Sequence, residues 1–194
     1  MEFDAVIEKR RSARSFTNKP VSHRQILAAV DAARRCPFAG NRNHMKFIIV
    51  ENPDSIKALA QFADQLWIAE APMVVIAFSD ELHLENMYGE RGRIYSRQQA
   101  GAVIHTMLLK LTDLGVSSCW VGAYNDHAIK SKFGIPGDFI IEALIPVGHE
   151  KYEKGKTVIA PKKTISAMIY WEVYDRSRRP QLMIEKKDPI SLTG

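Results

Sequence analysis

The sequence predicts a single α+β domain in which a central sheet is flanked by helices. Two short apolar runs, residues 47–50 and 73–78, lack the polar alternation of a half-exposed strand and therefore predict strands buried on both faces. Segments with the apolar spacing of helices separate and follow these runs. The chain has 194 residues and is 46% hydrophobic, which suits one sizeable core and is too little for two ordinary domains.

A capping box predicts where the first long helix begins. Ser22 can accept a hydrogen bond from the third-residue amide, while Gln25 reaches back to the Ser22 amide. The helix should end near Cys36, because Pro37 disfavours the helical conformation in the residue before it. We expect its inward face to consist of Ile26, Leu27, Val30 and Ala33.

Two further helices are indicated by their ends. Asn52 and Pro53 form the start of a helix that we expect to run to Gln65. Residues 98–114 have helical spacing and are apolar on most sides, and Gly115 stands where a left-handed C-cap belongs. This last helix should therefore lie at the centre of the fold.

The remaining segments complete the sheet and its surroundings. Strands are predicted over residues 119–123 and 140–147, with a short helix over residues 126–133 between them. The polar stretch 79–96 is either a mobile lid over a substrate or solvated surface. We expect residues 1–175 to form the domain and residues 176–194 a basic C-terminal arm, which either wraps a partner subunit or is a solvated tail.

Charge and cysteine content narrow the function classes. The net charge is +5, but the basic residues are scattered among 22 acidic ones without an aromatic-interleaved stripe, so a nucleic-acid partner is not favoured over a small anionic ligand. Cys36 and Cys119 are too few for a disulfide framework or metal set and fit a reducing compartment. No run approaches the ~20 apolar residues of a membrane span, and the start lacks a leader pattern, so we expect a cytoplasmic protein without a membrane partner.

A basic cluster near the start suggests a phosphate anchor. A helix entered at Met1 would place Arg10 and Arg14 one turn apart on one face, where two guanidinium groups could close on a phosphate and Ser12 could add a hydroxyl. The alternative is that basic residues at a helix C-terminus complement the helix dipole and need no ligand. The amide-rich turn at residues 41–43 suggests a site that forms hydrogen bonds with the polar edge of a ring.

Four segments match, in order, the pattern of one known family. They are residues 10–16 (RRSARSF), residues 37–47 (PFAGNRNHMKF), residues 88–92 (YGERG) followed by Gln98 and the helix to residue 115, and the pair 118–124 (SCWVGAY) and 145–149 (IPVGH). Over residues 3–174 the chain resembles the nitroreductase family of FMN-dependent oxidoreductases, and the third segment is similar to its short archaeal and bacterial branch.

The resemblance implies an α+β sandwich with an antiparallel or mixed sheet, which forms an intertwined homodimer with FMN at the interface. Arginines and a C-terminal lysine pair would hold the phosphate, and the residues after Cys36 would contact flavin of the opposite subunit. The implied cofactor residues are Arg10, Arg11, Ser12, Arg14, Pro37, Phe38, Ala39, Asn41, Asn43, Val121, Gly122, Ala123, Lys162 and Lys163.

Aromatic side chains suit a pocket for a flat substrate, because planar rings stack on them. We expect this pocket to contain His44, Tyr88, Tyr95, Trp120 and Tyr124. For His44, a surface loop histidine is the default interpretation. The chain shows no Ser/His/Asp or Cys/His nucleophilic set and no metal-ligand spacing among its six His, so we assign no catalytic side chain and no metal, and flavin N5 would carry the chemistry.

Three departures from the family pattern bear on substrate choice. Residues 43–45, Asn-His-Met, stand where the family has Gln-Pro-Trp; Phe38 replaces a Ser; and Gln99 stands where many members have an acidic residue. Asn43 or Lys46 is our candidate for stabilising the reduced ring near its N1/C2 edge.

The function that the resemblance implies is transfer of hydride or electrons from NAD(P)H, a transient donor, through flavin N5 to a flat acceptor such as a nitroaromatic or a quinone. Alternatives on the same fold are free-flavin reduction, dehalogenation and flavin fragmentation. A different class is a non-enzymatic module that binds a phosphate-bearing ligand or nucleic acid; a bound yellow cofactor would discriminate against it.

Overall fold

The computed structural model describes residues 1–151 and 164–176. The chain divides into two units, Met1–Tyr152 and Glu153–Gly194. The first unit holds the sheet and six α-helices, and the described part of the second contains a 3₁₀ turn, Ile165–Ala167. Lys162, Lys163 and the arm beyond Arg176 lie outside the described residues. The boundary near residue 175 stays a prediction.

The sheet has four strands, and each hydrogen-bonded pair within it is antiparallel. The strands are β1 (Met45–Val50), β2 (Met73–Ser79), β3 (Ser117–Ser118) and β4 (Ile140–Gly148), in the order β1-β2-β4-β3. The strands predicted at residues 47–50, 73–78 and 140–147 are confirmed, and so is the α+β class.

Six α-helices surround this sheet. They are α1 (Phe3–Lys9), α2 (His23–Ala33), α3 (Pro53–Phe62), α4 (Leu82–Tyr88), α5 (Glu90–Asp113) and α6 (Asp126–Phe133). The Ser22 capping box and the Asn52 cap are both formed, and Gly115 after α5 has the left-handed φ of +74° expected of its position. Helix α3 ends three residues earlier than predicted, where Asp64 turns to φ +50°.

Both faces of the sheet are covered, because every side chain of β2 is buried. Alternate residues point to opposite faces of a strand. Val75 and Ala77 join the core built with α2 and α5, whereas Val74 and Ile76 join the core built with α3 and α6. Burial of each large aliphatic side chain contributes about 1.5–3 kcal/mol, so these two cores fix the sheet and the central helix α5.

Helix α1 does not reach the basic cluster. It ends at Lys9, and Arg10 is extended with φ −61° and ψ 123°. The predicted placement of Arg10 and Arg14 on one helical face is therefore wrong. The cause is a tertiary pairing: Ser12 forms a bridge with Ser118, and the Ala13 amide donates to the Ser118 carbonyl at 3.1 Å, which requires extended backbone.

The polar stretch 79–96 contains α4 and the start of α5, and its interpretation as a lid or as solvated surface stays a prediction. Two other expectations are corrected. Leu27 is 58% exposed and does not face the core; Ala29 is buried on that helix instead. The strand expected at residues 119–123 is reduced to a single bridge between Val121 and Leu144, and the paired residues of β3 lie just before it.

Candidate functional site

The basic segment is fastened along the edge of the sheet. The Ser12 bridge places it beside Ser118, and Phe16 is buried and forms a bridge with Glu150, two residues after β4. Ala13 is fully buried as well. These contacts hold the backbone of the segment, from which the neighbouring arginines extend, along the sheet edge.

The three arginines of this segment differ in their partners. The Nη2 and Nε atoms of Arg11 contact Glu150 Oε2 at 2.5 and 2.6 Å. Arg10 is half-buried and Arg14 is exposed, and neither pairs with a carboxylate within residues 1–151 and 164–176. Two guanidinium groups, with the exposed Ser12 between them, are therefore available to an anion.

The same sheet edge carries the predicted main-chain contacts. Val121 exchanges hydrogen bonds of 2.9 and 3.0 Å with Leu144, so its amide and carbonyl are already used. Gly122 and Ala123 follow on the exposed surface, and neither amide donates to another group of the described chain. Trp120 is 40% exposed beside them. The Ser12 bridge to Ser118 thus joins the arginine segment to residues 120–123.

A second group forms around the amide-rich turn. Residues Ala39–Asn41 make a 3₁₀ turn in which Gly40 and Asn41 have φ of +58° and +55°. A Cβ on Gly40 would lie 2.9 Å from the Tyr88 hydroxyl, so the turn approaches that ring closely and needs glycine. Tyr88 packs edge-on against Tyr95, with ring centroids 5.4 Å apart.

A pocket of about 220 Å³ lies between this turn and helix α5. Its lining residues are Pro37, Ala39, Tyr95, Gln98, Gln99 and Ala102. Phe38 is partly buried against the core behind it, and Asn41 is exposed. Asn43 Oδ1 accepts from the Met45 amide at 3.0 Å, which leaves the Asn43 NH₂ group as its remaining polar end.

Most of the first unit matches a known family. The model of the Nitroreductase family matches residues 7–81 and 60–149. The chain belongs to the nitroreductase family. It is accordingly a flavin-dependent NAD(P)H oxidoreductase.

Curated relatives of this nitroreductase-family chain come from archaea and bacteria. An Archaeoglobus fulgidus protein named as an NADH dehydrogenase/NAD(P)H nitroreductase is 28% identical over 156 residues, covering 77% of this chain and 86% of its own. A Bacillus subtilis protein named FMN reductase [NAD(P)H] is 22% identical, covering 80% of this chain and 69% of its own.

The fold is also that of solved nitroreductases. A nitroreductase family protein from Clostridium novyi NT superimposes with a TM-score of 0.72 at 27% identity, covering 78% of this chain and 86% of its own. An FMN-dependent nitroreductase from Clostridium difficile R20291 superimposes with a TM-score of 0.67 at 20% identity, covering 77% and 88%. The four-stranded sheet with its helices is therefore the nitroreductase fold.

Two predicted pocket residues differ from the expectation for a nitroreductase substrate site. His44 is not on the surface: it is 6% exposed, and its Nε2 lies 2.9 Å from the buried Ser96 Oγ. Burial lowers the pKa of His44, which favours the neutral ring. Tyr124 is half-buried, and its hydroxyl donates a hydrogen bond to the Ile141 carbonyl at 2.9 Å, so this hydroxyl is used within the fold. Burial raises the pKa of Tyr124.

One polar network was not anticipated. Glu142 of β4 accepts from Ser79 Oγ and from Arg97, both at 2.5 Å, and Arg97 also contacts Glu81 at 3.0 Å. Burial raises the pKa of Glu142. The signal was a single acid inside the apolar run of β4, which marks a buried charge that needs partners. The network ties β2, β4 and α5 together.

The described residues contain neither a membrane-spanning helix nor a metal-binding cluster. None of the helices in residues 1–151 and 164–176 combines the length and the hydropathy that a bilayer span requires. The same residues contain no group of three or more His, Cys, Asp or Glu side chains placed to hold a metal ion.

Proposed function

We propose that this protein binds FMN and passes reducing equivalents from NADH or NADPH to a flat acceptor such as a nitroaromatic or a quinone. The observation that carries the proposal is the pair of guanidinium groups, Arg10 and Arg14, without a carboxylate partner among the described residues. Their segment is bridged through Ser12 to Ser118, a few residues before the exposed main chain of Gly122 and Ala123. The family to which the chain belongs supports the redox class.

The residues present fit FMN. A phosphate dianion needs several positive donors, which Arg10, Arg14 and the exposed Ser12 hydroxyl supply; Lys162 and Lys163 stay in the proposal as further donors. Arg11 contributes less to it, because Glu150 already holds its guanidinium. The space where a Gly122 Cβ would be built is free of other atoms within 4 Å, so a ring can approach the main chain there.

When bound, FMN would supply an N5 atom able to take hydride from the nicotinamide and to pass it on to the acceptor. The protein residues bind and orient. Gly122 and Ala123 offer main-chain amides to the ring, and Trp120 offers an exposed face on which a flat acceptor can stack. Asn43 has its NH₂ group left to donate to the ring edge, whereas Lys46 already lies over the Phe139 ring.

We propose a homodimer in which Pro37, Phe38 and Ala39 of one chain contact the flavin held by the arginines of the other. Exposed apolar side chains support a partner subunit, since soluble monomers rarely expose large apolar patches. In the first unit these include Phe3, Ile7 and Leu27; in the described part of the second they include Met168, Val173 and Tyr174. A cytoplasmic location belongs to the same proposal, supported by two free thiols, Cys36 and Cys119.

The test is a visible absorption spectrum of the purified protein, repeated anaerobically after adding NADH and then NADPH. Flavin bands that bleach are the expected result, and a screen of nitroaromatics, quinones, free flavins and halogenated aromatics then identifies the acceptor. A colourless protein that does not take up added FMN would overturn the proposal. Salt-sensitive RNA binding by such a protein would favour a binding module instead.

A further inference from the structure

Two of the departures from the family pattern meet in one buried cluster. His44, which precedes β1, and Gln99 of α5 are each 6% exposed, and Ser96 lies one helical turn before Gln99. Ser96 Oγ satisfies His44 Nε2 at 2.9 Å. The Gln99 amide lies close enough to His44 to influence the pKa of its ring.

Three polar atoms of this cluster lack a hydrogen-bond partner within the described residues: His44 Nδ1, Gln99 Nε2 and Gln99 Oε1. The His44–Gln99 contact is therefore an approach without a formed hydrogen bond. Buried polar groups are satisfied in the large majority of cases, and an unmade hydrogen bond destabilises a fold. An amide with both ends unsatisfied marks a position that another group completes.

Gln99 also lines the pocket between the Pro37–Ala39 turn and α5. The other lining residues include Pro37, Ala39, Tyr95 and Ala102, whose side chains offer apolar or aromatic surface. Apolar walls with a few polar groups are typical of a small-molecule site, in which the polar groups fix the orientation of the ligand.

We propose that Gln99 turns its amide into this pocket and recognises a flat ring whose edge carries a carbonyl next to an N–H, as in an imide, a lactam or a carboxamide. An amide side chain presents a hydrogen-bond donor and an acceptor in one plane, and a ring edge with a carbonyl next to an N–H offers the matching acceptor and donor. The inference rests on the proposed function, because that function supplies two such edges: the imide of the flavin ring and the carboxamide of the reduced nicotinamide. An acidic residue at position 99 would offer acceptors only, so the glutamine makes this recognition particular to the chain.

Gln99→Leu tests the proposal, because it keeps the side-chain bulk and removes both polar ends. Gln61→Leu is the matched control: Gln61 is an exposed glutamine of α3 and does not line this pocket. For both variants, FMN affinity is measured from the fluorescence of flavin released when loaded protein is diluted. The KM and kcat for NADH and NADPH are then measured at saturating FMN.

Loss of one neutral hydrogen bond weakens binding by about fivefold to tenfold. If Gln99 reads the flavin imide, Gln99→Leu raises the Kd for FMN by that factor. If it reads the carboxamide, FMN affinity stays and KM for the nicotinamide rises with kcat unchanged. In either case Gln61→Leu stays near wild type.

Wild-type values for Gln99→Leu in both measurements would overturn the inference. Equal losses in the two variants would also overturn it, because they would indicate a general effect of replacing a glutamine by leucine. If the flavin of the wild-type protein bleaches with NADH and Gln99→Leu has the same affinity and kinetics as the wild type, only this inference is rejected. A wild-type protein without flavin rejects the proposed function itself.

Discussion

At the scale of single residues, the N-terminal arginines differ in what already holds them. The sequence analysis predicts an anion site at these arginines, which stays a prediction, and it wrongly places Arg10 and Arg14 on one helical face. The structure replaces that helix by an extended segment paired with Ser118, and it commits Arg11 to Glu150. Which arginine has an acidic partner depends on a residue about 140 positions away, which no local pattern reveals.

Arg14→Ala should weaken FMN binding by about 10- to 100-fold, because it removes charge-assisted hydrogen bonds to a phosphate, each contributing about 1.5–3 kcal/mol. The fold should persist, since Arg14 is exposed. The measurement is FMN release from loaded protein, with thermal unfolding as the check on folding. Arg35→Ala, an exposed arginine paired with Asp31, is the control. Full flavin occupancy in Arg14→Ala would remove the anchor role from that residue.

His44 should make stability depend on pH. Burial lowers its pKa below the ordinary value of 6.5, so the unfolded chain binds a proton more readily than the folded one. Stability is then lost as the pH falls below 6.5 towards the folded pKa, with a limiting slope of about 1.4 kcal/mol per pH unit. Urea unfolding between pH 5 and 7.5 should show this extra loss in the wild type and not in His44→Gln. Parallel profiles would contradict it.

At the scale of elements, the apolar pattern of the sequence predicts a helix or strand well when one face or all of that element is buried. It predicts poorly the elements that bury few apolar side chains. The fully apolar β2 and the capped α2 and α3 were predicted close to their observed bounds. Helices α4 and the start of α5 were missed because they bury few apolar side chains, Leu84 being the buried residue of α4. Their packing depends instead on a glycine.

Gly92 lets α4 and α5 touch. A Cβ at this position would lie 2.1 Å from the Leu84 carbonyl oxygen, a backbone atom that cannot move aside alone. Gly92→Ala should therefore destabilise the protein by about 1–3 kcal/mol through overpacking. Gly101→Ala on the same helix meets nothing within 4 Å and should stabilise by up to about 1 kcal/mol.

Urea unfolding of both variants gives the comparison. Equal free energies of unfolding for Gly92→Ala and the wild type would show that the two helices separate without loss, and that this contact does not hold α4 in place.

At the scale of the whole molecule, we propose that the site combines residues of two chains. The arginine segment and the Pro37–Ala39 turn form two groups, each gathered by its own contacts, and the proposal joins them across a dimer. We expect partner contacts from the exposed apolar residues of α1 in the first unit and, separately, from those of residues 164–176 in the second.

Flavin release should follow dimer dissociation. On serial dilution, sedimentation should show dimer giving way to monomer, and FMN fluorescence should appear over the same concentration range, because each monomer lacks half of the site. A monomer that keeps its flavin would contradict the shared site. Excess free FMN should shift both transitions to lower protein concentration by mass action.

The sequence by itself determined the α+β class, the strand and helix starts that carry strong local signals, and the family, because buried strands, capping residues and ordered motifs are written in neighbouring positions. Only the tertiary structure decided that Arg10 is extended, that His44 is buried beside Gln99, and that Arg11 forms an ion pair with Glu150. The physical reason is that burial and ion pairing are set by residues distant along the chain, and the periodicity of a segment records only its own neighbours.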